Sequence, residues 1–260
     1  MRHILEEIIL NKKADIAKRK SIYSLKSLLE LESQFARNLN FAKALNNTKT
    51  NIIAEVKKAS PSGGLIRENF NPIEIAKSYH KYGASCLSIL TEEKYFLGSD
   101  DHVKQISKQV PLPILRKDFT VDAYQVHESK AIGADCILLI IAILDINVAK
   151  ELEAIALEKK LSVLVEVHNI KELELALKYL NSPLIGINNR NLKTLKTDIN
   201  TCIDLAKHIP PDKIIIAESG IKTAKEVQLI KSQGINNFLI GESLLREANI
   251  GVALGRLLDF

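Results

Sequence analysis

The sequence of 260 residues predicts a closed (β/α)8 barrel, because short apolar runs alternate regularly with amphipathic segments. The runs are rich in β-branched residues and span residues 51–56, 85–90, 113–117, 135–140, 162–167, 183–188, 213–218 and 237–242. The segments between them carry apolar residues three or four positions apart, which places one apolar stripe against a sheet. Several of these segments end at a glycine that favours the left-handed backbone after a helix: Gly83, Gly133 and Gly234.

The sequence supports neither another architecture nor a second domain. No GxGxxG motif follows the first strand, so a dinucleotide-binding open sheet is not indicated. No low-complexity linker divides the chain, so we expect one domain over residues 1–260, with the barrel over 49–260. Residues 1–48 predict a helical extension, which could plug the bottom of the barrel or lie across its top and help to enclose a ligand.

The composition indicates an ordinary soluble protein, which we expect in the cytoplasm. The 36 basic and 31 acidic residues give a net charge of +5 and are interspersed, so nucleic acid is not an expected partner. The longest apolar run, residues 137–144, is shorter than the ~20 residues that cross a bilayer, so no membrane is expected either. Three separated cysteines without CxxC spacing indicate a reducing compartment and no disulfide framework or zinc site. No sequence pattern indicates the oligomeric state, and we expect a monomer.

Ionisable and amide side chains collect where the predicted strands end, which is the end of a parallel barrel that carries the active site. Glu55 and Lys57 are two positions apart, so they share a face of the first strand. A single charge at a strand end usually reaches solvent, but the pattern recurs in Lys117, Glu166, Asn188, Glu218 and Ser219. Lysines among carboxylates can be tuned as acids and glutamates as bases, so we expect acid–base chemistry without a metal.

Glycines follow the last two strands, in Ser219-Gly220 and in Gly241-Glu242-Ser243. A glycine lets backbone N–H groups approach a ligand, and a following helix N-terminus favours an anion. Each glycine alone is more often only a turn, but phosphate binding after strands seven and eight recurs in barrels. The sequence therefore predicts a phosphorylated small-molecule substrate.

From residue 52 onward, a series of blocks resembles the indole-3-glycerol-phosphate synthase family in both order and spacing. The blocks are IAEVKKASPS (53–62), LRKDF (115–119), GADCILLI (133–140), VEVH (165–168), GINNRNL (186–192), AESGI (217–221) and FLIGESLLR (238–246). The leading segment ILEEIILNKKADIAKRK is similar to the first helix of that family. Three positions depart from the family pattern: Gly63 replaces a frequent lysine, and Asn69 and Asn71 replace frequent aspartates.

The resemblance implies a decarboxylating enzyme of tryptophan biosynthesis that needs no cofactor or metal. Its substrate would be 1-(2-carboxyphenylamino)-1-deoxyribulose 5-phosphate, converted to indole-3-glycerol phosphate, carbon dioxide and water. An aromatic carbon attacks the ketose carbonyl, carbon dioxide leaves, and loss of a hydroxyl and a proton completes the indole ring. By this resemblance, Lys117 is the general acid of ring closure and Glu166 the general base.

The resemblance also implies roles for the remaining candidates. Lys57 would contact the substrate and serve as acid in the dehydration, with Glu55 as its partner. Asn188 would orient the catalytic groups, and Ser219 would complete them. The implied binding residues are Arg190 for the anthranilate carboxylate, Ser60 near the ligand, Phe119 and Leu138 beside the aromatic ring, and the amides of Gly220, Gly241 and Glu242 for the phosphate.

Two other functions stay open at this point. A barrel like phosphoribosylanthranilate isomerase would need one acid–base pair, often Cys and Asp, and would leave the paired lysines unexplained. A non-catalytic barrel that binds a sugar phosphate would keep the phosphate site and lose the acid–base residues.

Overall fold

The computed structural model describes residues 2–32, 37, 39–45, 49–192 and 194–258, and parallel strands in this part of the chain form a closed barrel. The strands are β1 (Asn51–Val56), β2 (Cys86–Leu90), β3 (Ile114–Lys117), β4 (Cys136–Ile140), β5 (Ser162–Val167), β6 (Leu184–Asn188), β7 (Ile214–Glu218) and β8 (Asn237–Ile240). Ile53 of β1 pairs with Cys86 of β2 and with Leu239 of β8, which closes the ring. The predicted fold is confirmed.

Helices surround this barrel and precede it. They are α1 (Arg2–Ile22), α2 (Leu25–Glu32), α3 (Phe41–Ala44), α4 (Pro72–Lys81), α5 (Asp100–Gln109), α6 (Ala123–Ala131), α7 (Ile146–Glu158), α8 (Ile170–Tyr179), α9 (Asn200–Ala206), α10 (Ala224–Lys231), α11 (Glu242–Leu245) and α12 (Ile250–Leu258). None of the described helices has both the length and the apolar character needed to cross a membrane.

Local sequence explains how individual helices begin and end. Asn71 Oδ1 accepts the backbone N–H groups of Ile73 and Glu74, each at 3.2 Å, and Pro72 begins α4. An amide oxygen caps a helix as a carboxylate does, so the family's aspartate is not needed at Asn71. The predicted helix-ending glycines have φ values of 93°, 92° and 87° at Gly83, Gly133 and Gly234.

Strand β8 ends earlier than its sequence run predicts, at Ile240 rather than at residue 242. Its pairing with β7 ends at Leu239 and its pairing with β1 ends at Ile240, so no neighbour holds the next residues extended. Gly241 instead caps α11, and Glu242 is the first residue of that helix.

The last helix of the N-terminal extension, α3, closes the bottom of the barrel. Phe41 and Leu45 are 0% and 2% exposed and pack with residues of the barrel interior such as Ile53. The N–H of Ala42 donates to Oγ of Ser162 at 3.4 Å. Ser162 is the first residue of β5, so α3 lies at the N-terminal ends of the strands.

Helix α1 lies across the opposite end of the barrel. Asn11 Nδ2 donates to the hydroxyl of Tyr95 at 2.9 Å, and Lys12 Nζ lies 2.8 Å from Oδ1 of Asp118. Tyr95 and Asp118 belong to the loops that follow β2 and β3. Both positions considered for the extension are therefore occupied, by different helices. Residues 1, 33–36, 38 and 46–48 lie outside the described residues, and the division into one domain with an extension over 1–48 stays a prediction.

Replacing Phe41 by alanine tests the plug at the bottom of the barrel. Because this side chain is fully buried, Phe41→Ala is expected to lower the free energy of unfolding by about 3–5 kcal/mol. Urea denaturation followed by far-UV circular dichroism measures the loss. Leu157→Ala is the control, since this leucine is 47% exposed and its removal should change stability by less than about 0.5 kcal/mol. Equal losses in the two variants would show that α3 does not belong to the core.

Candidate active site

The C-terminal ends of the strands surround a cavity of about 680 Å³. Apolar residues of α1, namely Ile4, Leu5 and Ile8, cover part of it. Of the residues predicted for the site, those that line the cavity are Glu55, Lys57, Ser60, Lys117, Phe119, Leu138, Glu166, Asn188, Arg190, Ser219, Gly220 and Glu242. Gly241 is the one predicted site residue that is not part of the cavity lining, and it lies between Ile240 and Glu242, which both line the cavity.

A lysine and a glutamate face each other inside this cavity. Lys117, the last residue of β3, donates from Nζ to Oε2 of Glu166 on β5 at 3.0 Å. Asn188, the last residue of β6, donates from Nδ2 to Oε1 of Glu166 at 3.2 Å. The side chains of Lys117 and Glu166 are 16% and 3% exposed, so the ion pair is largely removed from water.

Glu218, the last residue of β7, joins this pair and was not among the residues predicted for the site. Its Oε2 lies 3.7 Å from Nζ of Lys117. Its Oε1 is buried without a hydrogen-bond partner among the described residues, and a Cβ added at Gly186 would lie 2.2 Å from it. Gly186 of β6 therefore provides the space that the Glu218 carboxyl occupies. The sequence signal for Glu218 was its place at a strand end.

These contacts determine the charge of each group. Burial would lower the pKa of Lys117, but the carboxylates of Glu166 and Glu218 outweigh burial and raise it. Burial would raise the pKa of Glu166, yet Lys117 and His168 hold it well below its usual range. For Glu218, burial and then the negative charge of Glu166 raise the pKa to about 8. Near neutral pH the site therefore holds an ammonium, a carboxylate and a protonated carboxyl group.

His168 is a further residue that the site prediction left out. Its Nε2 lies 3.2 Å from Oε1 of Glu166, and its Nδ1 lies 3.0 Å from Oε2 of Glu172 in α8. The contact with Glu166 is electrostatic rather than an aligned hydrogen bond. Burial would lower the pKa of His168, but the two carboxylates outweigh it and raise the pKa to about 9. His168 is thus a second positive group beside Glu166.

Glu55 and Lys57 form an ion pair at the end of β1, as expected for two residues on one face of a strand. Gly241 lies against this pair, and an added Cβ there would come within 2.4 Å of Oε1 of Glu55. Gly241 therefore gives the Glu55 carboxylate its space.

The loops after β6 and β7 place the next group of predicted residues. The backbone N–H of Arg190 donates to Oδ1 of Asn188 at 2.9 Å, and its Nη1 donates to the carbonyl of Leu195 at 3.0 Å. Ser219 and Gly220 both have left-handed backbone, with φ of 66° and 78°. Such backbone costs about 1–3 kcal/mol at a residue other than glycine and is typical of functional sites.

A polar corner of the cavity lies beyond Gly220 and is lined by Lys222, Glu242, Ser243 and Arg246. Arg246 Nε donates to Oε1 of Glu242 at 2.9 Å, and Nη2 donates to the carbonyl of Gly63 at 3.0 Å. These bonds attach the loop after β1 to α11. A Cβ at Gly63 would lie only 2.9 Å from Oγ of Ser60, so glycine suits this close approach.

Phe119 and Leu138 belong to the apolar wall. The ring of Phe119 lies 6.2 Å from the ring of Phe96, measured between centroids. Leu138 is 1% exposed and packs in the barrel interior, so it contributes to the core as well as to the cavity.

Neither metal ligands nor disulfides are apparent in the described structure. Within those residues, no group of three or more His, Cys, Asp or Glu side chains is placed to hold a metal ion. Cys86, Cys136 and Cys202 are free and buried.

Comparison with known proteins identifies the family to which this site belongs. The family model described as indole-3-glycerol phosphate synthase matches residues 5–257. The chain belongs to the indole-3-glycerol phosphate synthase family. An indole-3-glycerol phosphate synthase of Legionella pneumophila (strain Paris) is 54% identical over 212 residues, which is 82% of each chain. One of Rhodospirillum rubrum is 45% identical over 262 residues, covering 99% of this chain and 100% of the relative.

Solved structures of other enzymes share the fold. A mutant tryptophan synthase α-subunit from Pyrococcus furiosus has a TM-score of 0.63 at 16% identity, covering 82% of this chain and 99% of that one. A 3-hexulose-6-phosphate synthase has a TM-score of 0.63 at 13% identity, covering 80% and 97%.

Family membership confirms the predicted class of protein. The chain is a carboxy-lyase of tryptophan biosynthesis, and neither the isomerase-like nor the non-catalytic alternative is favoured.

The raised pKa of Glu218 predicts a change of stability with pH. Because its pKa rises from 4.5 to about 8 on folding, its contribution to stability is fully present below pH 4.5 and is lost as pH rises through about 8. Glu218→Gln removes the titration, so its stability should fall less than that of the wild type as the pH rises through this range. Urea unfolding at a series of pH values measures both profiles. His168 titrates in both proteins, so its contribution cancels when the two profiles are subtracted. Parallel profiles would contradict the raised pKa assigned to Glu218.

Proposed function

We propose that the cavity converts 1-(2-carboxyphenylamino)-1-deoxyribulose 5-phosphate to indole-3-glycerol phosphate, carbon dioxide and water. The observation that carries this proposal is the buried contact of 3.0 Å between a protonated Lys117 and an ionised Glu166. It supplies an acid and a base within one cavity, and family membership supports the reaction.

Lys117 serves as the general acid of ring closure. As the carboxylate-bearing aromatic carbon bonds to the ketose carbonyl carbon, the carbonyl electron pair moves to oxygen, and that oxygen takes a proton from Nζ of Lys117. Carbon dioxide then leaves, and the electron pair of the broken carbon–carbon bond restores the aromatic ring. The raised pKa of Lys117 supports this role, because the proton to be donated is present at neutral pH.

Dehydration needs one further proton donor and a base. The departing hydroxyl takes a proton from Lys57, whose charge Glu55 stabilises, and Glu166 removes a proton from the adjacent ring carbon. Two protons are donated and one is removed. The difference of one proton equals the negative charge lost when a carboxylate departs as neutral carbon dioxide.

The other polar residues hold the substrate and the catalytic groups. Asn188 orients Glu166 through its hydrogen bond of 3.2 Å. Ser219, which follows the last residue of β7, is the remaining member of the proposed catalytic group. Arg190 binds the anthranilate carboxylate, because a guanidinium can grip both oxygens of a carboxylate.

The phosphate lies in the polar corner on the amides of Gly220, Gly241 and Glu242. Lys222 and Arg246 line the same corner and add positive charge. Phe119 and Leu138 flank the aromatic ring, and Ser60 lies beside the ligand. No metal or cofactor takes part.

We also propose that the enzyme works in the cytoplasm as a monomer. The free, buried cysteines support a reducing compartment. The named catalytic groups all come from one chain, so the reaction requires no second copy.

Turnover by a Lys117→Met variant tests the proposed acid. The change keeps the bulk of the side chain and removes the proton, so kcat should fall about 10²–10⁴-fold with little change in KM. The appearance of indole-3-glycerol phosphate is measured against the wild type, and turnover by the wild type also decides against an isomerase or a non-catalytic barrel. A near-normal kcat in Lys117→Met would move the role of acid to another group, with Lys57 the first candidate.

Variants of Arg190 test the carboxylate site separately. Arg190→Ala should reduce kcat/KM by the equivalent of about 1.5–3 kcal/mol, mainly through KM, because a hydrogen bond to a charged group is lost. Arg190→Lys keeps the charge but not the planar fork and should recover only part of the loss. An unchanged KM in Arg190→Ala would contradict the assignment.

A further inference from the structure

We infer that Lys12 and Asp118 are positioning residues, whose buried ion pair couples the covering helix α1 to the strand end that holds the catalytic Lys117. This inference rests on the proposed role of Lys117.

The contacts of the residues at the end of β3 are the first observation. Lys117 and Asp118 both line the cavity, and Asp118 is only 3% exposed. Arg116, which is 2% exposed, binds Glu128 of α6. Asp118 Oδ1 lies 2.8 Å from Nζ of Lys12 and accepts the backbone N–H of Phe119 at 2.8 Å. The residues on either side of Asp118 are the proposed acid and a residue of the aromatic wall. A shift of this carboxylate would therefore move both.

The second observation is the place of Lys12 on α1. Ile8 lies one turn earlier, on the same face of the helix, and lines the cavity. Ile4 lies one turn before Ile8 and lines it too. Lys12 thus connects the cover of the cavity to the end of β3.

A second link joins the same two elements. Arg19 of α1 and Arg116 of β3 bind opposite oxygens of Glu128, at 3.0 Å and 2.7 Å. α1 is therefore attached to both chain neighbours of Lys117, to Asp118 directly and to Arg116 through Glu128. The direct link is the sharper one to test, because Lys12 contacts Asp118 without an intervening side chain. The other oxygen of Asp118 accepts the hydroxyl of Thr91 at 2.6 Å and lies 3.6 Å from Nη2 of Arg116.

Burial makes the Lys12–Asp118 pair sensitive to change. Its side chains are 6% and 1% exposed, so loss of Lys12 would leave the buried Asp118 carboxylate with Arg116, 3.6 Å away, as its remaining cationic partner among the described residues. α1 also carries an exposed ion pair with the loop after β2, Glu7 with Lys94, whose side chains are 55% and 57% exposed. Exposed pairs contribute little, so Glu7–Lys94 is a matched control on the same helix.

The test uses Lys12→Met, Asp118→Asn and the double variant that combines these two changes, with Lys94→Met as the control. All are assayed at a temperature where circular dichroism shows every protein folded. A misplaced catalytic group can cost about 100-fold in rate, so we expect Lys12→Met to lower kcat by about 10-fold or more. Lys12→Arg should recover most of kcat, and Lys94→Met should keep kcat within about twofold of the wild type. In the double variant, the fold-loss in kcat should be smaller than the product of the two single fold-losses. A pair that only stabilises the fold would leave kcat unchanged, and a near-normal kcat in Lys12→Met would overturn the inference.

Hydrogen exchange provides a measurement that does not need activity. In Lys12→Met, amide exchange should accelerate both in α1 and in residues 114–119, whereas Lys94→Met should leave residues 114–119 unchanged. If the wild type fails to turn over the substrate, the proposed function fails, and exchange alone decides whether α1 and β3 are coupled. Faster exchange confined to α1 would contradict the coupling.

Discussion

A charged group inside a barrel has little water around it, and an unpaired one costs several kcal/mol. The cavity wall of this protein contains ionisable side chains from four strand ends: Glu55, Lys57, Lys117, Glu166 and Glu218. Lys57 pairs with Glu55, and Lys117 pairs with Glu166 at 3.0 Å, with His168 as a second positive group beside Glu166. For Glu218, burial and then the negative charge of Glu166 raise the pKa to about 8. The proposed acid Lys117 and the proposed base Glu166 depend on the same constraint.

The charges of these groups also depend on the space around their side chains and on the helices that lie over the two ends of the barrel. Gly186 and Gly241 leave room for the carboxyl groups of Glu218 and Glu55, which could not lie where they do beside a larger residue. α1 covers part of the cavity at the top of the barrel and α3 fills its bottom, so the two helices limit the access of water to the ionisable layer. Exclusion of water strengthens each attraction within that layer. The N-terminal extension is thus part of the electrostatic environment of the site.

The sequence predicted the barrel and most of the site because alternation along a strand is a local property. Glu55 and Lys57 are two residues apart, and any extended backbone places them on one face. The importance of Glu218 depends instead on its distance from Lys117, a residue 101 positions away in the chain. His168 was missed for a related reason, since its charge reflects two carboxylates that reach it only in the folded chain.

The N-terminal extension could not be placed from its sequence, since both ends of a barrel offer apolar surface to a helix. Only the partners of Phe41 and Lys12 distinguish the two ends. The end of β8 was misjudged for a different reason. Pairing with neighbouring strands decides where a strand stops, and this pairing is not visible in an apolar run.

The space that Gly186 leaves for the Glu218 carboxyl has an evolutionary consequence. The interior of an eight-stranded barrel is normally filled by layers of branched hydrocarbon side chains. Here a carboxyl group, with one oxygen lacking a hydrogen-bond partner among the described residues, replaces part of such a layer. A chain with hydrocarbon side chains at both positions would complete the layer and would lose the protonated carboxyl. Substitution toward a fully hydrocarbon layer is therefore expected to raise the stability of this barrel, with loss of the carboxyl group that lies 3.7 Å from Nζ of Lys117.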